Sequence, residues 1–191
     1  MYNVKRNPYE TRIVITGLGT INPIAYSVEE FWENLIAGKS GVRRVQRTEV
    51  DDFDVQIGGE VDYPDLSEYM PKKYVRRLGR YAVFANYACK DALKDSGLEQ
   101  ELVDKAPHRY GLIIGTGAGG TDIDYENATI INERGFDFVS PFFVVGRIPN
   151  MPPGYFAKEV NFQGPNFSVN SACASSNHAI ITSAMMIKMG M

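Results

Sequence analysis

The 191-residue chain is poor in several residue types that carry specialised chemistry. It has two cysteines, Cys89 and Cys173, two histidines and one tryptophan. Two cysteines cannot build a disulfide framework, so a reducing, cytoplasmic setting is expected. Two widely separated histidines and a free cysteine do not make a zinc site, and no metal is expected. Charge of neither sign dominates: Lys and Arg number 20, Asp and Glu 23, and the net charge is −3. That balance gives no strong pull towards nucleic acid or an anionic membrane, and neither is expected as a partner. Residues 1–12 carry basic side chains without an apolar segment, so they do not read as a signal peptide. The apolar stretch over residues 179–191 is interrupted by Lys188 and is too short to span a bilayer. Internal repeats and low-complexity tracts are not evident.

What is present is a chain 44% hydrophobic, enough to bury one sizeable core. Ile13, Val14 and Ile15 form a β-branched run before Thr16-Gly17-Leu18-Gly19 and predict a buried strand leaving through a glycine turn. Ser27 and Glu30 have capping-box spacing, predicting a helix that carries Phe31, Trp32, Leu35 and Ile36 and stops at Gly38. Residues 39–65 are mixed, with Val55, Ile57 and Val61 suggesting a short extended piece. Residues 72–96 predict one helix, with Tyr74, Leu78, Tyr81, Ala85, Ala88 and Ala92 on its apolar side and Gly97 as its cap.

A strand is predicted over 110–114 and a helix over 122–132. Residues 139–145 read as extended around Pro141, and 150–160 as a helix with two prolines in its first turn. Residues 166–171 alternate as a strand does, and 174–189 form a helix ending at Gly190. Strands alternating with helices argue for an α/β layered fold with a mixed, mostly parallel sheet.

The segment Asn170-Ser171-Ala172-Cys173-Ala174-Ser175-Ser176 places a cysteine where a strand ends and a helix begins. Unpaired N–H groups and the positive end of the helix dipole there favour a thiolate, and the same N–H groups would hold an oxyanion. Ala172 and the small residues after the cysteine leave room for a substrate carbonyl. The other reading of Cys173 is a small buried residue; Cys89, in mid-helix, reads as structural. His178, five residues after Cys173, cannot easily curl back to the sulfur and reads as a hydrogen-bonded structural residue; His108 reads as exposed.

Gly115-x-Gly117-x-x-Gly120 has the form of a dinucleotide fingerprint, but Asp122, Asp124 and Glu126 crowd the helix start where a pyrophosphate would sit. The alternative is that these glycines let backbone segments pass closely. Lys72, Lys73, Arg76, Arg77 and Arg80 cluster at a helix start, either as a solvated face or as a docking site for an acidic partner.

In order along the chain, Ile13 to Pro23, Phe31-Trp32, Gly38-Lys39-Ser40-Gly41, Gly111 to Gly120, Ser140-Pro141-Phe142-Phe143, Ile148-Pro149-Asn150, Gly164-Pro165-Asn166 and Val169 to Ile180 resemble the landmarks of the β-ketoacyl-acyl-carrier-protein synthases. The likeness is closer to type II than to type III enzymes or thiolases. It implies a thiolase-like fold of αβαβα layers in a homodimer. Residues 1–12 would be an extension, and 13–191 the N-terminal half of the synthase, with the C-terminal half absent. It implies acyl transfer to Cys173, then decarboxylative condensation with a malonyl thioester in fatty-acid elongation.

By position, the resemblance makes Cys173 both the nucleophile and a backbone oxyanion donor. Ala118, Phe143 and Ala172 would line the acyl pocket, with Ala118 where type II enzymes commonly carry a larger aliphatic gate. Lys73, Arg76 and Arg77 would dock the acyl carrier protein, which brings its own phosphopantetheine, so the chain needs no cofactor. The family's two catalytic histidines and supporting lysine have no counterpart here, so the chain alone is expected to be inactive. A non-catalytic, chain-length-factor-like partner and a polyketide-type ketosynthase are the alternatives.

Overall fold

Two prolines open the most deeply buried helix of the chain. Pro152 and Pro153 stand in the first turn of α7 (Met151–Val160), where the missing N–H has no intrahelical partner to lose. Asn161, at φ 59°, ends that helix in the left-handed conformation that asparagine tolerates. Between these ends Tyr155, Phe156, Ala157 and Val160 are buried. Phe156 alone contributes about 2–3 kcal/mol by leaving water.

The computed structural model describes residues 7, 9–62, 66 and 69–191. Most of the 1–12 extension, and the end of the mixed 39–65 stretch, lie outside the described residues. The chain divides into two units, residues 1–15, 70–86 and 98–191, and residues 16–69 and 87–97. Helix α3 (Arg80–Asp95) contributes its first turns to one unit and its last turns to the other.

The larger unit is built on a parallel pair of strands, β3 (Leu112–Gly115) and β4 (Asn166–Val169), in the register Leu112 opposite Asn166 through Gly115 opposite Val169. Helix α7 and helix α8 (Ser175–Met189) both pack on this pair. Helix α5 (Thr121–Arg134) follows β3 and holds the short α6 (Phe143–Arg147). Met70, Leu78, Val83, Val103, Phe156 and Ala179 belong to its core. Helix α8 buries only Ser175 and Ala179, and leaves Ile180, Ile181, Met185 and Met189 exposed.

In the smaller unit, α1 (Val28–Ile36) begins at Ser27, whose Oγ accepts the Glu30 N–H at 3.1 Å. The Glu30 carboxylate accepts the Tyr26 N–H at 2.9 Å, one residue before the position a standard capping box uses. An antiparallel pair, β1 (Val42–Arg44) and β2 (Ile57–Gly59), occupies the stretch where one short extended piece was expected. Ion pairs of Arg43 with Asp62 and Arg44 with Asp51 brace it.

The structure corrects three readings. Residues 13–15 are in no strand, and Ile15 is 76% exposed. A β-branched run becomes a strand only beside a neighbour that takes up its backbone groups, and no described residue pairs with it. The helix expected over 72–96 is broken into α2 (Lys72–Val75) and α3. The Gly79 N–H leaves the helical path for the Gly146 carbonyl at 3.0 Å, and Asp122 Oδ2 accepts the Arg80 N–H at 2.8 Å to restart it. Residues 139–145 are not extended throughout: Ser140 closes a turn that leads into α6, its carbonyl accepting the Phe143 N–H at 2.9 Å and its Oγ the Phe142 N–H at 3.2 Å. Among the described residues, no helix is long and apolar enough to cross a membrane.

Gly17-Leu18-Gly19 lies against the last turns of α3. The Leu18 N–H donates to Asp95 Oδ2 at 2.9 Å. A Cβ on Gly19 would stand 2.1 Å from the Ala88 carbonyl oxygen, and one on Gly17 2.2 Å from that of Ala92. Gly19→Ala is therefore predicted to cost about 1–3 kcal/mol as an overpacking substitution, read as a lowered urea midpoint.

Candidate active site

The turn from β4 into α8 holds Cys173, which is exposed and outside any disulfide. Ala172, immediately before it, has φ 50°, in the left-handed region. For an L-residue other than glycine this costs about 1–2 kcal/mol, so the surroundings must hold it. They do so through Ser175. Its side chain is buried, and its Oγ accepts the Ser171 N–H at 2.9 Å. The same hydroxyl stands within donating distance of two carbonyls, that of Ala172 at 2.6 Å and that of Thr116 at 3.2 Å, which share its one hydrogen. Ser175 therefore does not leave space for substrate, as its small size suggests, but lies beneath the turn.

The floor of the turn is the end of β3. A Cβ on Gly115 would fall 2.3 Å from the Ser175 carbonyl carbon and 2.4 Å from the Ser176 nitrogen. Only hydrogen fits there, which is the close-passage reading of the glycine motif. The Thr116 N–H donates to the Val169 carbonyl at 3.1 Å, extending the β3–β4 ladder by one bond. Gly117 then passes beside Ala172, where a Cβ would sit 3.7 Å from the Ala172 oxygen. The exposed Ala118 follows on the same loop. At the loop's far end the Gly120 N–H reaches the Arg147 carbonyl of α6 at 3.0 Å.

Phe143 is half-buried at the first position of α6. Lys73 lies on α2, and Arg76 and Arg77 follow it; all three are exposed. The Arg77 guanidinium sits 3.9 Å from the Phe142 ring centroid, and the Lys73 ammonium 5.0 Å from that of Tyr74. The structure thus joins the turn of Ala172 and Cys173 to the Ala118 loop, and sets Arg77, alone of the three basic residues, over Phe142.

The helix start is more occupied than the sequence implied. The Ala174 N–H donates to the Ser171 carbonyl at 3.1 Å and the Ser175 N–H to the Ala172 carbonyl at 3.2 Å. His178 is hydrogen-bonded, its Nδ1 standing 2.6 Å from Ser171 Oγ. The acidic residues of α5 are engaged too: Asp122 with the Arg80 N–H, and Asp124 Oδ1 with Arg147 Nε at 2.7 Å. Cys89 is half-buried in α3, and burial pushes its thiol up to about 11, so it is protonated at neutral pH. Among the described residues, no group of three or more His, Cys, Asp or Glu could hold a metal ion.

The chain belongs to the β-ketoacyl synthase N-terminal domain family, whose sequence model matches residues 10–191. It is 37% identical over 176 residues to the 3-oxoacyl-[acyl-carrier-protein] synthase 2 of Coxiella burnetii, covering 92% of this chain and 42% of that protein. It is 35% identical over 179 residues to the protein of the same name from Vibrio harveyi, covering 94% and 43%. The chain therefore spans less than half the length of these curated relatives. The solved structure of the ishigamide ketosynthase/chain length factor shares its fold, with a TM-score of 0.82 at 24% identity over 93% of this chain and 44% of that one. The thiolase-like fold expected from the sequence is present.

Gly115 and Gly154 form a matched pair for testing the turn's floor. No atom lies within 4 Å of a Cβ built on Gly154 in α7. Gly154→Ala is predicted to raise stability by about 0.5–1 kcal/mol. Gly115→Ala is predicted to lower it by about 1–3 kcal/mol or more, because its obstacle is backbone that cannot rotate away. Thermal unfolding of the two variants, with opposite shifts in Tm, checks the pair.

Proposed function

We propose that this chain carries the nucleophile of a β-ketoacyl-acyl-carrier-protein synthase and half of its acyl pocket. The observation that carries the reading is Cys173 itself: an exposed thiol, on a turn braced by Ser175 and Gly115, in a chain of this family. The Cys173 thiolate attacks the carbonyl of an acyl thioester, and the carrier thiolate leaves and takes a proton. A malonyl thioester then loses carbon dioxide. Its carbanion attacks the acyl-Cys173 carbonyl and expels the Cys173 thiolate, and the new carbon–carbon bond remains on the carrier. The Cys173 N–H is the oxyanion donor, the N–H groups of Ala174 and Ser175 being engaged within the turn.

Acyl carrier protein is the partner, met by Lys73, Arg76 and Arg77. The exposure of all three and the seating of Arg77 over Phe142 support that assignment. Phosphopantetheine arrives on the carrier, so no resident cofactor is required. Enolate stabilisation and the second half of the pocket come from sequence outside these 191 residues, in a cytoplasmic homodimer. A second reading, a non-catalytic chain-length-factor-like partner, draws on the shared fold with the ketosynthase/chain length factor structure. The exposed thiol favours the first.

Incubation of the full-length protein with an acyl thioester is expected to add one acyl mass to the Cys173 peptide, and Cys173→Ser to abolish it. Acylation elsewhere, or none, would favour the partner reading. Ala118→Ile, which narrows the proposed pocket, is expected to shift acceptance to shorter acyl chains; an unchanged chain-length profile removes Ala118 from the pocket.

A further inference from the structure

We propose that Ser175 is the positioning residue for Cys173, its buried hydroxyl holding Ala172 in the left-handed conformation and so fixing where the thiol stands at the start of α8. This rests on Cys173 being the acyl-accepting nucleophile. Three observations meet at one atom. Ser175 is 3% exposed, so its hydroxyl has no access to substrate. Its Oγ reaches both residues before the cysteine, at the Ser171 N–H (2.9 Å) and the Ala172 carbonyl (2.6 Å). It also reaches the Thr116 carbonyl at 3.2 Å, beyond the end of β3, which ties the turn to the sheet.

The neighbouring contacts make this latch specific. Ala172 is at φ 50°, a conformation alanine does not choose by itself. The main chain of Ser175 and Ser176 is pressed against Gly115, so the helix start cannot settle further to make up for a lost hydroxyl. Removing Oγ leaves the Ser171 N–H without its acceptor, and the Ala172 carbonyl keeps only the Ser175 N–H at 3.2 Å. Relaxation of Ala172 to a negative φ then swings Cys173 off the helix axis.

The two cysteines provide the test within one molecule. Cys173 is exposed, whereas the half-buried Cys89 has its thiol pushed up to about 11 and reports on the integrity of α3. The full-length protein and its variants are treated with iodoacetamide at pH 8, and alkylation of each cysteine is followed by peptide mass spectrometry. Ser175→Ala is expected to slow Cys173 alkylation about tenfold, equivalent to about 1.4 kcal/mol, with Cys89 still protected. Ser175→Thr, which keeps the hydroxyl, is expected to retain most of the rate. Adding Ala172→Gly to Ser175→Ala is expected to recover it, because glycine takes a positive φ without strain.

A Cys173 rate within twofold of the unaltered protein in Ser175→Ala, with Cys89 protected, overturns the proposal. If Ser175→Ala instead exposes Cys89, the double variant decides. Return of both Cys89 protection and Cys173 reactivity supports the latch, and no return makes Ser175 a structural residue only. A parallel acyl-thioester assay separates the two levels. A positioning role lowers the acylation rate constant at saturation and leaves half-saturation unchanged. Failure of the unaltered protein to acylate, with the alkylation pattern as expected, removes the nucleophile reading and leaves the Ser175 latch standing.

Discussion

The candidate site depends on one clearance: the backbone of Ser175 and Ser176 lies where a side chain on Gly115 would be. That approach brings the first residues of α8 onto the end of β3, in the strand pair whose other member, β4, delivers the chain into the turn. Once the helix start is pinned there, Ser175 Oγ is within reach of Ser171, Ala172 and Thr116. A turn built on a left-handed alanine then becomes affordable, because several bonds oppose its relaxation. Sheet, glycine, hydroxyl and cysteine form a chain of dependence that runs from the core outwards.

How far the sequence foretold this varies with the range of the interactions. Helices α5, α7 and α8 and strands β3 and β4 were legible because local signals set them: the prolines of the first α7 turn, Gly190 after α8, the alternation before Val169. The break between α2 and α3 was not legible. Its causes are the Gly146 carbonyl and the Asp122 carboxylate, the latter 42 residues from the N–H it caps. Residues 13–15 misled for the converse reason, since a strand-forming composition does not itself supply a partner. At the site, the cysteine at a strand–helix junction could be read directly. The left-handed conformation at Ala172 could not, because alanine carries no sign of it. A serine in a small-residue run likewise looks the same whether it lines a pocket or sits under a turn.

The exposed apolar side chains bear on how this sequence is organised. Helix α8 shows Ile180, Ile181 and Met185 to solvent, and α1 shows Trp32 and Ile36. Such side chains are costly on a free surface when they are contiguous along one helix. Their presence accords with a chain that spans less than half the length of its curated relatives.

Gly79 and Gly146 meet through their main chains, and a Cβ on Gly146 would stand 2.5 Å from the Arg77 carbonyl oxygen. The usual logic of alanine scanning is reversed at such a contact. Elsewhere in the protein the substitution takes atoms away and reports on what they held. Here it inserts an atom between two backbones, and a severe effect would measure the absence of a side chain rather than the worth of one. A mutational map of this protein would therefore show sensitive positions of two opposite kinds, and only the geometry tells which is which.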